Sequence, residues 1–322
     1  MKKIKLAIVG VTGLVGQTII DVLKEEGMMG LVELHLFASN KSAGKRILFM
    51  DNEYEIKKLD DAVLKENFDY AIFSAGSLVS KIWVKKFASR GTVVIDNTSF
   101  FRKKENIPLI VPEINQFRIN KTHKIISNPN CSTIQLALVL DRLRNLSRIK
   151  QVVVSTYQSV SGAGRRAVSD LANHTKNVFE KGINNNVVAG IGKQDKNGFF
   201  EEEQKLMFET NKILEDDSIQ IYATAVRVPI SHCHAESVYV RFENCVDKKR
   251  FFKALCCDYI VTSKNDIFYP TEVFKSNKTY VCRVRKVSRK EYLFFVIADN
   301  LRRGAAYNAV EILKYLIEIN GN

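Results

Sequence analysis

The residues best suited to chemistry lie at positions 127–133, which read Ser-Asn-Pro-Asn-Cys-Ser-Thr. Apolar residues at helical spacing predict a helix over Ile134–Leu146. Because Pro129 interrupts any helix from upstream and Asn130 is a favourable N-cap, Cys131 is expected in the first helical turn. The positive end of the helix dipole favours the nucleophilic thiolate, and the helix N–H groups could hold an oxyanion. A small, buried and inert cysteine is the alternative.

A second dense segment, Arg227–Glu236, carries an arginine, two histidines, a cysteine and a glutamate within ten residues. Together with Cys131 these side chains could supply four metal ligands, but the His-Cys-His spacing is too tight for an ordinary zinc loop. The better interpretation is a histidine that acts as base for Cys131. Arg227 would grip a carboxylate with two parallel hydrogen bonds. Structural histidines and a surface arginine remain the alternative at this point.

The N-terminal elements could position a nucleotide beside such a thiol. Ile4–Val9 predicts a buried strand that runs into the glycine-rich turn Gly10–Gly16, and a helix follows. Glycines there let the backbone turn tightly and approach a pyrophosphate at the helix N-terminus. The spacing is GxxGxxG rather than GxGxxG. The prediction of a dinucleotide site therefore rests largely on the position of this turn between a strand and a helix.

The loop after the second predicted strand, Leu31–Ala38, indicates which dinucleotide binds. An NAD site usually places an acidic residue at the end of this strand to bind the ribose hydroxyls. This chain instead continues with hydroxyl and cationic residues, among them Lys41 and Ser42, and these suit a 2′-phosphate. The loop therefore favours NADP over NAD, with an ordinary polar loop as the alternative.

Strands alternate with helices in the first part of the chain, which predicts a doubly wound parallel sheet. After the Cys131 helix the pattern changes to strands typical of an antiparallel sheet. The fold class is therefore α/β, with a Rossmann-type parallel-sheet domain followed by an α+β domain whose sheet is mainly antiparallel. Predicted strands of the second part are Val152–Tyr157, Gln220–Val226, Ser237–Phe242, Tyr280–Arg285 and Tyr292–Ile297. Predicted helices are Arg166–Lys181, Glu201–Ile213 and Arg303–Ile319, and 182–198 is a polar connection.

Composition narrows the class of protein. A chain of 322 residues that is 46% hydrophobic can hold two folded domains. No apolar run approaches the length needed to cross a membrane, the N-terminal run is only strand-sized, and the six cysteines are scattered. These features predict a reduced, cytoplasmic setting without a membrane partner. The net charge of +14 suits anionic substrates, and a nucleic-acid-binding protein is the alternative.

The motifs together resemble the aspartate-β-semialdehyde dehydrogenase family over nearly the whole chain. The most specific segments are 130–133, 158–164, and Arg227 followed seven positions later by His234. The resemblance implies an NADP-binding Rossmann domain at residues 1–127 plus 301–322. It also implies a catalytic and dimerisation domain at residues 128–300.

The resemblance implies roles for individual residues. Cys131 corresponds to the nucleophile, His234 to the general acid/base and Gln158 to the residue that orients the substrate. Substrate-binding positions are Arg227 for the α-carboxylate, Glu202 near the amino group, and Asn130. Phosphate-binding positions are Arg102 and Lys205. Cofactor-binding positions are Gly10, Thr12, Gly13, Leu14, Val15, Lys41, Ser42, Ser161, Gly162 and Asn300.

The implied activity is the reversible conversion of aspartyl phosphate to aspartate semialdehyde with NADP(H), with inorganic phosphate as co-substrate and no metal. Its setting would be lysine, methionine, threonine and diaminopimelate biosynthesis, in a homodimer or a tetramer. The nearest rival is N-acetylglutamyl-phosphate reductase, against which Glu202 argues because a carboxylate suits a free ammonium. A basic nucleic-acid-binding protein on a dinucleotide fold is a rival from a different class, and an inactive scaffold is a third candidate. Cys233, beside His234, is expected to make the site more sensitive to oxidation.

Overall fold

The computed structural model describes residues 3–49 and 52–321, apart from the side chain of Asn52. The chain divides into two compact units, one formed by Met1–Pro129 with Ala305–Asn322 and the other by Asn130–Gly304. None of the helices in the described ranges is both long enough and apolar enough to cross a membrane. The helices are α1 (Leu14–Glu25), α2 (Ser77–Ser89), α3 (Pro112–Asn115), α4 (Cys131–Arg144), α5 (Arg165–Asn173), α6 (Glu201–Leu214), α7 (Lys248–Ala254), α8 (Pro270–Val273) and α9 (Tyr307–Gly321).

The first unit is built on a largely parallel sheet. Its strands are β1 (Ile4–Val9), β2 (Val32–Ala38), β3 (Arg46–Phe49), β4 (Asn52–Lys58), β5 (Tyr70–Phe73), β6 (Val93–Asp96) and β7 (Ile125–Ser127). Their order across the sheet is β3-β4-β2-β1-β5-β6-β7, and only the edge pair β3–β4 is antiparallel among the described strands. The Rossmann-type parallel sheet is confirmed. The sequence analysis missed β3, which spans only four residues, and β4, most of whose residues are polar.

The central strand of this sheet is buried on both faces. Leu6 and Ile8 of β1 belong to a cluster that includes residues of α1 and α9. Ala7 and Val9, which point to the opposite face, belong to a second cluster that includes residues of α2. A strand covered on both faces reads as a continuous apolar run, and this explains why β1 was predicted with the correct bounds.

The second unit contains a mixed sheet. Its strands are β8 (Ile149–Gln158), β9 (Gln220–Arg227), β10 (His234–Phe242), β11 (Ile260–Thr262), β12 (Thr279–Lys286) and β13 (Glu291–Ala298). Their order is β11-β12-β13-β10-β8-β9, with β10 antiparallel to both of its neighbours. The pairs β8–β9 and β11–β12 are parallel, and the other three pairs of neighbouring strands described here are antiparallel. The sheet is therefore mainly antiparallel, as predicted. β10 starts at His234, earlier than predicted, because His234 pairs with Gln158.

Helix α4 packs on the buried face of this sheet, against β8, β10 and β13. Its residues from Ser132 to Leu140 are all buried, together with Leu143. A helix that is covered on all sides fixes the position of its first turn, where Cys131 lies.

Two helix predictions differ from the structure. The helix expected at Arg166–Lys181 is wrong in its second half, because α5 ends at Asn173 and His174 takes the left-handed conformation (φ 55°). Asp170 stabilises this ending by accepting hydrogen bonds from residues 175, 177 and 178. The last helix is preceded by a π-helical turn, Arg302–Ala306, which a 3.6-residue periodicity does not predict.

Gly16 permits the close approach of α1 to the turn that follows β1. A Cβ atom at this position would lie 2.7 Å from Val11 Cα and closer still to Gly10 O. Because both neighbours are backbone atoms, a side-chain rotation cannot relieve the overlap. We expect Gly16→Ala to lower the free energy of unfolding by about 1–3 kcal/mol in urea denaturation. Gly30→Ala is the matched control, since its Cβ would have open space. Equal stability of the two variants would contradict this packing.

Candidate active site

Cys131 is the first residue of α4, and Asn130 caps the helix as predicted. Asn130 Oδ1 accepts hydrogen bonds from the backbone N–H of Ser132 at 3.0 Å and of Thr133 at 3.4 Å. The cap therefore engages these two N–H groups. The cap competes with a substrate oxyanion for these two groups, and oxyanion binding at the helix start stays a prediction.

Helix α6 holds the capping residue in place. The backbone N–H of Asn130 donates to Glu209 Oε2 at 2.6 Å, and Asn130 Nδ2 donates to Glu202 Oε1 at 2.8 Å. The sequence analysis did not single out Glu209. The sequence could have indicated it, because Glu209 follows Glu202 by seven residues, and this spacing places both carboxylates on one face of a helix.

Glu202 is a buried carboxylate that is kept ionised by its partners. Burial alone would raise its pKa, but the charge of Lys205 and hydrogen bonds from Asn130, Lys205 and Gln158 lower the pKa to about 2. Lys205 Nζ lies 2.9 Å from Glu202 Oε2. The side chain therefore offers a fixed negative charge beside the start of α4.

Gln158, at the end of β8, links the helix start to Glu202. Its Nε2 donates to Ser132 Oγ at 2.6 Å and to Glu202 Oε1 at 3.1 Å. Gln158 is fully buried, and its Oε1 has no hydrogen-bond partner among the described residues. This oxygen is therefore an acceptor available to a ligand, and the orienting role implied for Gln158 stays a prediction.

His234 lies opposite Gln158 on the neighbouring strand and is fully buried. Its Nδ1 is 3.1 Å from both the backbone N and the Oγ of Ser159, whereas Nε2 has no hydrogen-bond partner within the described part of the chain. Burial and the neighbouring charge of Arg227 lower the pKa of His234 to about 3. The ring is therefore neutral near pH 7. Sequence reasoning missed Ser159, because its role is a contact between distant segments.

Arg227 ends β9 and is buried, so the alternative of a surface arginine is wrong. Its Nη1 donates to Ser159 O at 2.8 Å, and its backbone pairs with Val188 of the polar connection. Burial lowers the pKa of Arg227, while the charges of Glu202 and Cys131 raise it. Arg227 also lines a cavity of about 600 Å³ formed largely by residues 178–192. Arg227 therefore borders this cavity as well as Ser159.

Two glycines keep space open around these side chains. A Cβ on Gly162 would lie 2.8 Å from Arg227 Nη1 and 3.1 Å from His234 Nε2. A Cβ on Gly304 would lie 2.8 Å from Cys131 Cβ. Gly162 was assigned to cofactor binding, and its contacts with Arg227 and His234 place it in the unit that carries Cys131.

Asn300 connects three segments of the second unit. Its Oδ1 accepts from the backbone N–H of Cys233 at 3.0 Å, and it lies 3.1 Å from Ser159 Oγ and 3.2 Å from Ser161 Oγ. Asn300 and Ser161 are both buried. These bonds hold the segments around His234 together, and contact of either residue with a cofactor stays a prediction.

Cys233 does not have the properties of an oxidation-sensitive thiol. It is fully buried, and its Sγ donates to Pro270 O at 3.3 Å. Burial, together with the charge of Asp299, raises the pKa of its thiol. Since oxidation proceeds through an accessible thiolate, the expectation that Cys233 sensitises the site is wrong.

The glycine-rich turn of the first unit fits a dinucleotide. Gly10 adopts φ 92°, and a Cβ there would lie 2.8 Å from the carbonyl carbon of Ser74, the residue after β5. Gly13 is the N-cap of α1 and donates its N–H to Gly10 O at 3.0 Å. The predicted cofactor residues Thr12, Leu14 and Val15 surround this turn at the N-terminus of α1. Backbone without side chains at a helix N-terminus suits a pyrophosphate.

Lys41 and Ser42 lie in a tight turn directly after β2. The backbone N–H of Ser42 donates to Ser39 O at 2.9 Å, and Lys41 is exposed. Both side chains are therefore on the loop that follows β2, where a dinucleotide fold binds the adenosine ribose.

The two residues assigned to phosphate binding lie in different units. Arg102 belongs to the first unit and donates from Nη2 to Asn97 O at 2.7 Å. Lys205 belongs to the second and pairs with Glu202. Their joint binding of phosphate stays a prediction.

The segment Arg227–Glu236 does not converge on a metal. His234 points into the unit, whereas the ring of His232 packs against Phe274 with centroids 4.5 Å apart. Within residues 3–49 and 52–321, no three His, Cys, Asp or Glu side chains are grouped so that they could hold a metal ion.

Comparisons with known proteins identify the family of the chain. Residues 5–122 match the NAD binding domain of semialdehyde dehydrogenases, and residues 140–303 match the dimerisation domain of semialdehyde dehydrogenases. The chain is 38% identical to an aspartate-semialdehyde dehydrogenase of Aquifex aeolicus (strain VF5) over 98% of both chains. The chain belongs to the aspartate-semialdehyde dehydrogenase family.

Further members of the family are similarly close. An aspartate-semialdehyde dehydrogenase of Rickettsia bellii (strain RML369-C) is 40% identical over 98% of both chains. The crystal structure of aspartate semialdehyde dehydrogenase II complexed with ASA from Vibrio cholerae has a TM-score of 0.93, with 35% identity and 99% of each chain covered. The resemblance stated from the motifs is confirmed. The chain is thus a dehydrogenase with an NAD(P)-binding domain, and amino-acid biosynthesis is the setting of its family.

Glu236 is a buried carboxyl of this dehydrogenase that no assigned role explains. It lies on β10, two residues after His234, and it is fully buried. Neither of its oxygens has a hydrogen bond of good geometry among the described residues, although Gln135 of α4 lies beside it. Burial raises the pKa of Glu236 well above its usual value, and Gln135 lowers it only in part. The folded protein therefore binds a proton that the unfolded chain releases above about pH 4.3.

This difference predicts how stability depends on pH. Each pH unit between the unfolded and the folded pKa lowers the free energy of unfolding by about 1.4 kcal/mol, because only the unfolded chain loses the proton. We expect Glu236→Gln to stabilise the protein more at pH 8 than at pH 5, as measured by urea unfolding of both proteins at each pH. Exposed Glu105→Gln is the control. An equal effect of Glu236→Gln at both pH values would show that Glu236 is ionised in the folded state.

Proposed function

We propose that the chain catalyses the reversible, NADP-dependent conversion of aspartyl phosphate to aspartate semialdehyde and inorganic phosphate. The observation that carries the proposal is the placement of a buried cation, Arg227, and a buried anion, Glu202, in the same unit as the helix-start thiol of Cys131. An aspartyl substrate carries an α-carboxylate and an α-ammonium, and these match the two charges. The Vibrio cholerae relative, 35% identical, was solved in complex with ASA.

Cys131 serves as the nucleophile. In the oxidative direction its thiolate adds to the aldehyde carbon, and the carbonyl oxygen takes the negative charge. NADP, when bound, supplies the acceptor for the hydride that leaves this carbon. The thioester that results on Cys131 is attacked by phosphate, which regenerates the thiolate and gives the acyl phosphate. His234 acts on the carbonyl oxygen, and Gln158 orients the substrate from Oε1.

The cofactor and phosphate assignments rest on charge. Lys41 and Ser42 follow β2, where an NAD site would place a carboxylate, so a 2′-phosphate is favoured. Arg102 and Lys205 are cations that suit the transferred phosphate. The reductive direction would supply aspartate semialdehyde for lysine, methionine and threonine synthesis.

The outer face of the second sheet supports assembly as a homodimer. Its face opposite α4 exposes large apolar side chains, with 41% of Val153, 40% of Tyr157 and 48% of Tyr222 accessible. Apolar side chains clustered on a sheet face are typical of an interface between subunits. The match of residues 140–303 to a dimerisation domain supports the same assembly.

The first experiment measures NADPH formation from aspartate semialdehyde and NADP, with and without phosphate and again with NAD. We expect the reduced cofactor to form only when phosphate is present, and to form faster with NADP than with NAD. Cys131→Ser should lower kcat by about 10³-fold or more, because a serine alkoxide is much harder to form than a thiolate. Cys256→Ser, which changes an exposed cysteine, is the control.

Near-normal turnover of Cys131→Ser would refute the nucleophile assignment. Formation of NADPH with N-acetylglutamate semialdehyde but not with aspartate semialdehyde would indicate that the chain is an N-acetylglutamyl-phosphate reductase.

Arg227→Lys tests carboxylate recognition. Lysine keeps the charge but loses the two parallel N–H donors, and charge-assisted hydrogen bonds contribute about 1.5–3 kcal/mol. We expect the KM for aspartate semialdehyde to rise by about 10- to 100-fold, whereas the KM for phosphate stays within error. Arg241→Lys, at an exposed position on β10, is the matched control. An unchanged KM for the aldehyde would remove Arg227 from substrate binding.

A further inference from the structure

Two carboxylates of α6 hold Asn130, the residue that precedes Cys131. Glu202 and Glu209 are seven residues apart, so they lie on one face of the helix, about two turns from each other. Glu202 Oε1 accepts from the side-chain Nδ2 of Asn130 at 2.8 Å, and Glu209 Oε2 accepts from its backbone N–H at 2.6 Å. One helix therefore fixes both the side chain and the main chain of this residue. Glu202 has a substrate group as its expected ligand, whereas Glu209 has no role in the proposed reaction.

The backbone N–H of Asn130 depends on Glu209 for its hydrogen bond. Asn130 is 6% exposed and Glu209 is 2% exposed. Because a buried N–H that loses its acceptor is costly, the main chain would rotate to find another partner. Pro129 has no N–H group, which leaves Asn130 as the only main-chain donor between Asn128 and Cys131. The bond to Glu209 is therefore the main-chain anchor immediately upstream of the nucleophile.

This anchor acts at the point where the chain changes from extended to helical. Asn130 has φ −64° and ψ 146°, and α4 begins at the next residue. A rotation of the Asn130 peptide would therefore change the direction of the Cys131 side chain. Space around this side chain is narrow, since a Cβ on Gly304 would lie only 2.8 Å from Cys131 Cβ. Because a displacement of about 1 Å between reacting groups can cost about 10²-fold in rate, the direction of the thiol matters for attack on a carbonyl carbon.

The charge of Glu209 does not by itself explain why a carboxylate occupies this position. A negative charge near the start of a helix stabilises the helix, but it also opposes the thiolate of Cys131. What a carboxylate adds without this conflict is a strong acceptor, since charge-assisted hydrogen bonds are about twice as strong as neutral ones. The reach of the side chain to the N–H of Asn130 is therefore the property that serves Cys131.

We propose that Glu209 is a positioning residue for the nucleophile: its carboxylate holds the backbone N–H of Asn130 and thereby sets the direction in which the Cys131 side chain leaves the start of α4. Glu209 touches no substrate atom and acts only through Asn130. Its importance for catalysis rests on the proposed function, whereas the hydrogen bond is a property of the folded chain.

Two substitutions separate the reach of Glu209 from its charge. Glu209→Gln keeps an acceptor oxygen at the same reach and loses the charge, whereas Glu209→Asp keeps the charge and withdraws the oxygen by one methylene. We expect Glu209→Gln to keep kcat within about 3-fold of the parent protein and Glu209→Asp to lower kcat by about 10- to 100-fold. The KM values for aspartate semialdehyde and NADP should stay within about 2-fold in both variants, because Glu209 lies outside the residues assigned to ligands. Glu201→Gln, at an exposed position on α6, is the control.

Equal losses of kcat in Glu209→Gln and Glu209→Asp, or an unchanged kcat in Glu209→Asp, would overturn the proposal. A loss in Glu209→Asp that falls on KM alone would overturn it as well.

The hydrogen bond can also be tested without turnover. Hydrogen–deuterium exchange of the peptide that contains Asn130 is measured by mass spectrometry in the full-length proteins. We expect exchange to be faster in Glu209→Asp than in the parent protein and unchanged in Glu209→Gln. Equal exchange in all three proteins would contradict the role of this bond. A parent protein without phosphate-dependent activity would refute the proposed function, whereas the exchange measurement would still test the bond.

Discussion

The amide group of Asn130 is the interaction on which the rest of the second unit depends. Its oxygen caps α4 and its nitrogen donates to Glu202, so one side chain fixes the helix start and a buried carboxylate at once. Aspartate and serine are equally good helix caps, but neither can perform both functions. Aspartate would place a second negative charge beside Glu202, and serine is too short to bridge the two elements. The position of Cys131 follows from this amide.

The buried charges of the unit are stable only as a connected set. Glu202 and Arg227 are each nearly inaccessible to water, and such ions cost several kcal/mol unless their partners compensate. Glu202 has Lys205, Asn130 and Gln158 as partners, whereas Arg227 donates to a single backbone oxygen among its described contacts. Arg227 therefore keeps donor capacity that the protein leaves unused. A substrate carboxylate completes this set, which is a physical reason to retain a buried arginine that stability alone would not favour.

Local pattern predicted the parts of the structure that local forces determine. The buried strand β1, the cap at Asn130 and the first turn of α4 each depend on residues within a few positions of one another, and all were predicted. The end of α5 depends on how Asp170 folds the following residues back, and apolar periodicity does not report this. The bond between Ser159 and His234 joins residues 75 positions apart, and only the pairing of β8 with β10 brings them together. Carboxylate binding was expected from the chemistry of Arg227 itself, whereas the orienting role of Gln158 came only from resemblance to a family.

The cap formed by Asn130 and the neutral state of His234 both follow from how the second unit packs around Cys131. Asn130 engages the N–H groups of Ser132 and Thr133, and this cap fixes the start of α4, which positions Cys131. His234, at the start of β10, presents its Nε2 beside Gly162, next to Arg227. A protonated imidazole at that place would repel Arg227 and compete with it for the substrate carboxylate. Burial and the charge of Arg227 lower the pKa of His234 and keep the free ring neutral, so the two side chains do not compete for the substrate carboxylate.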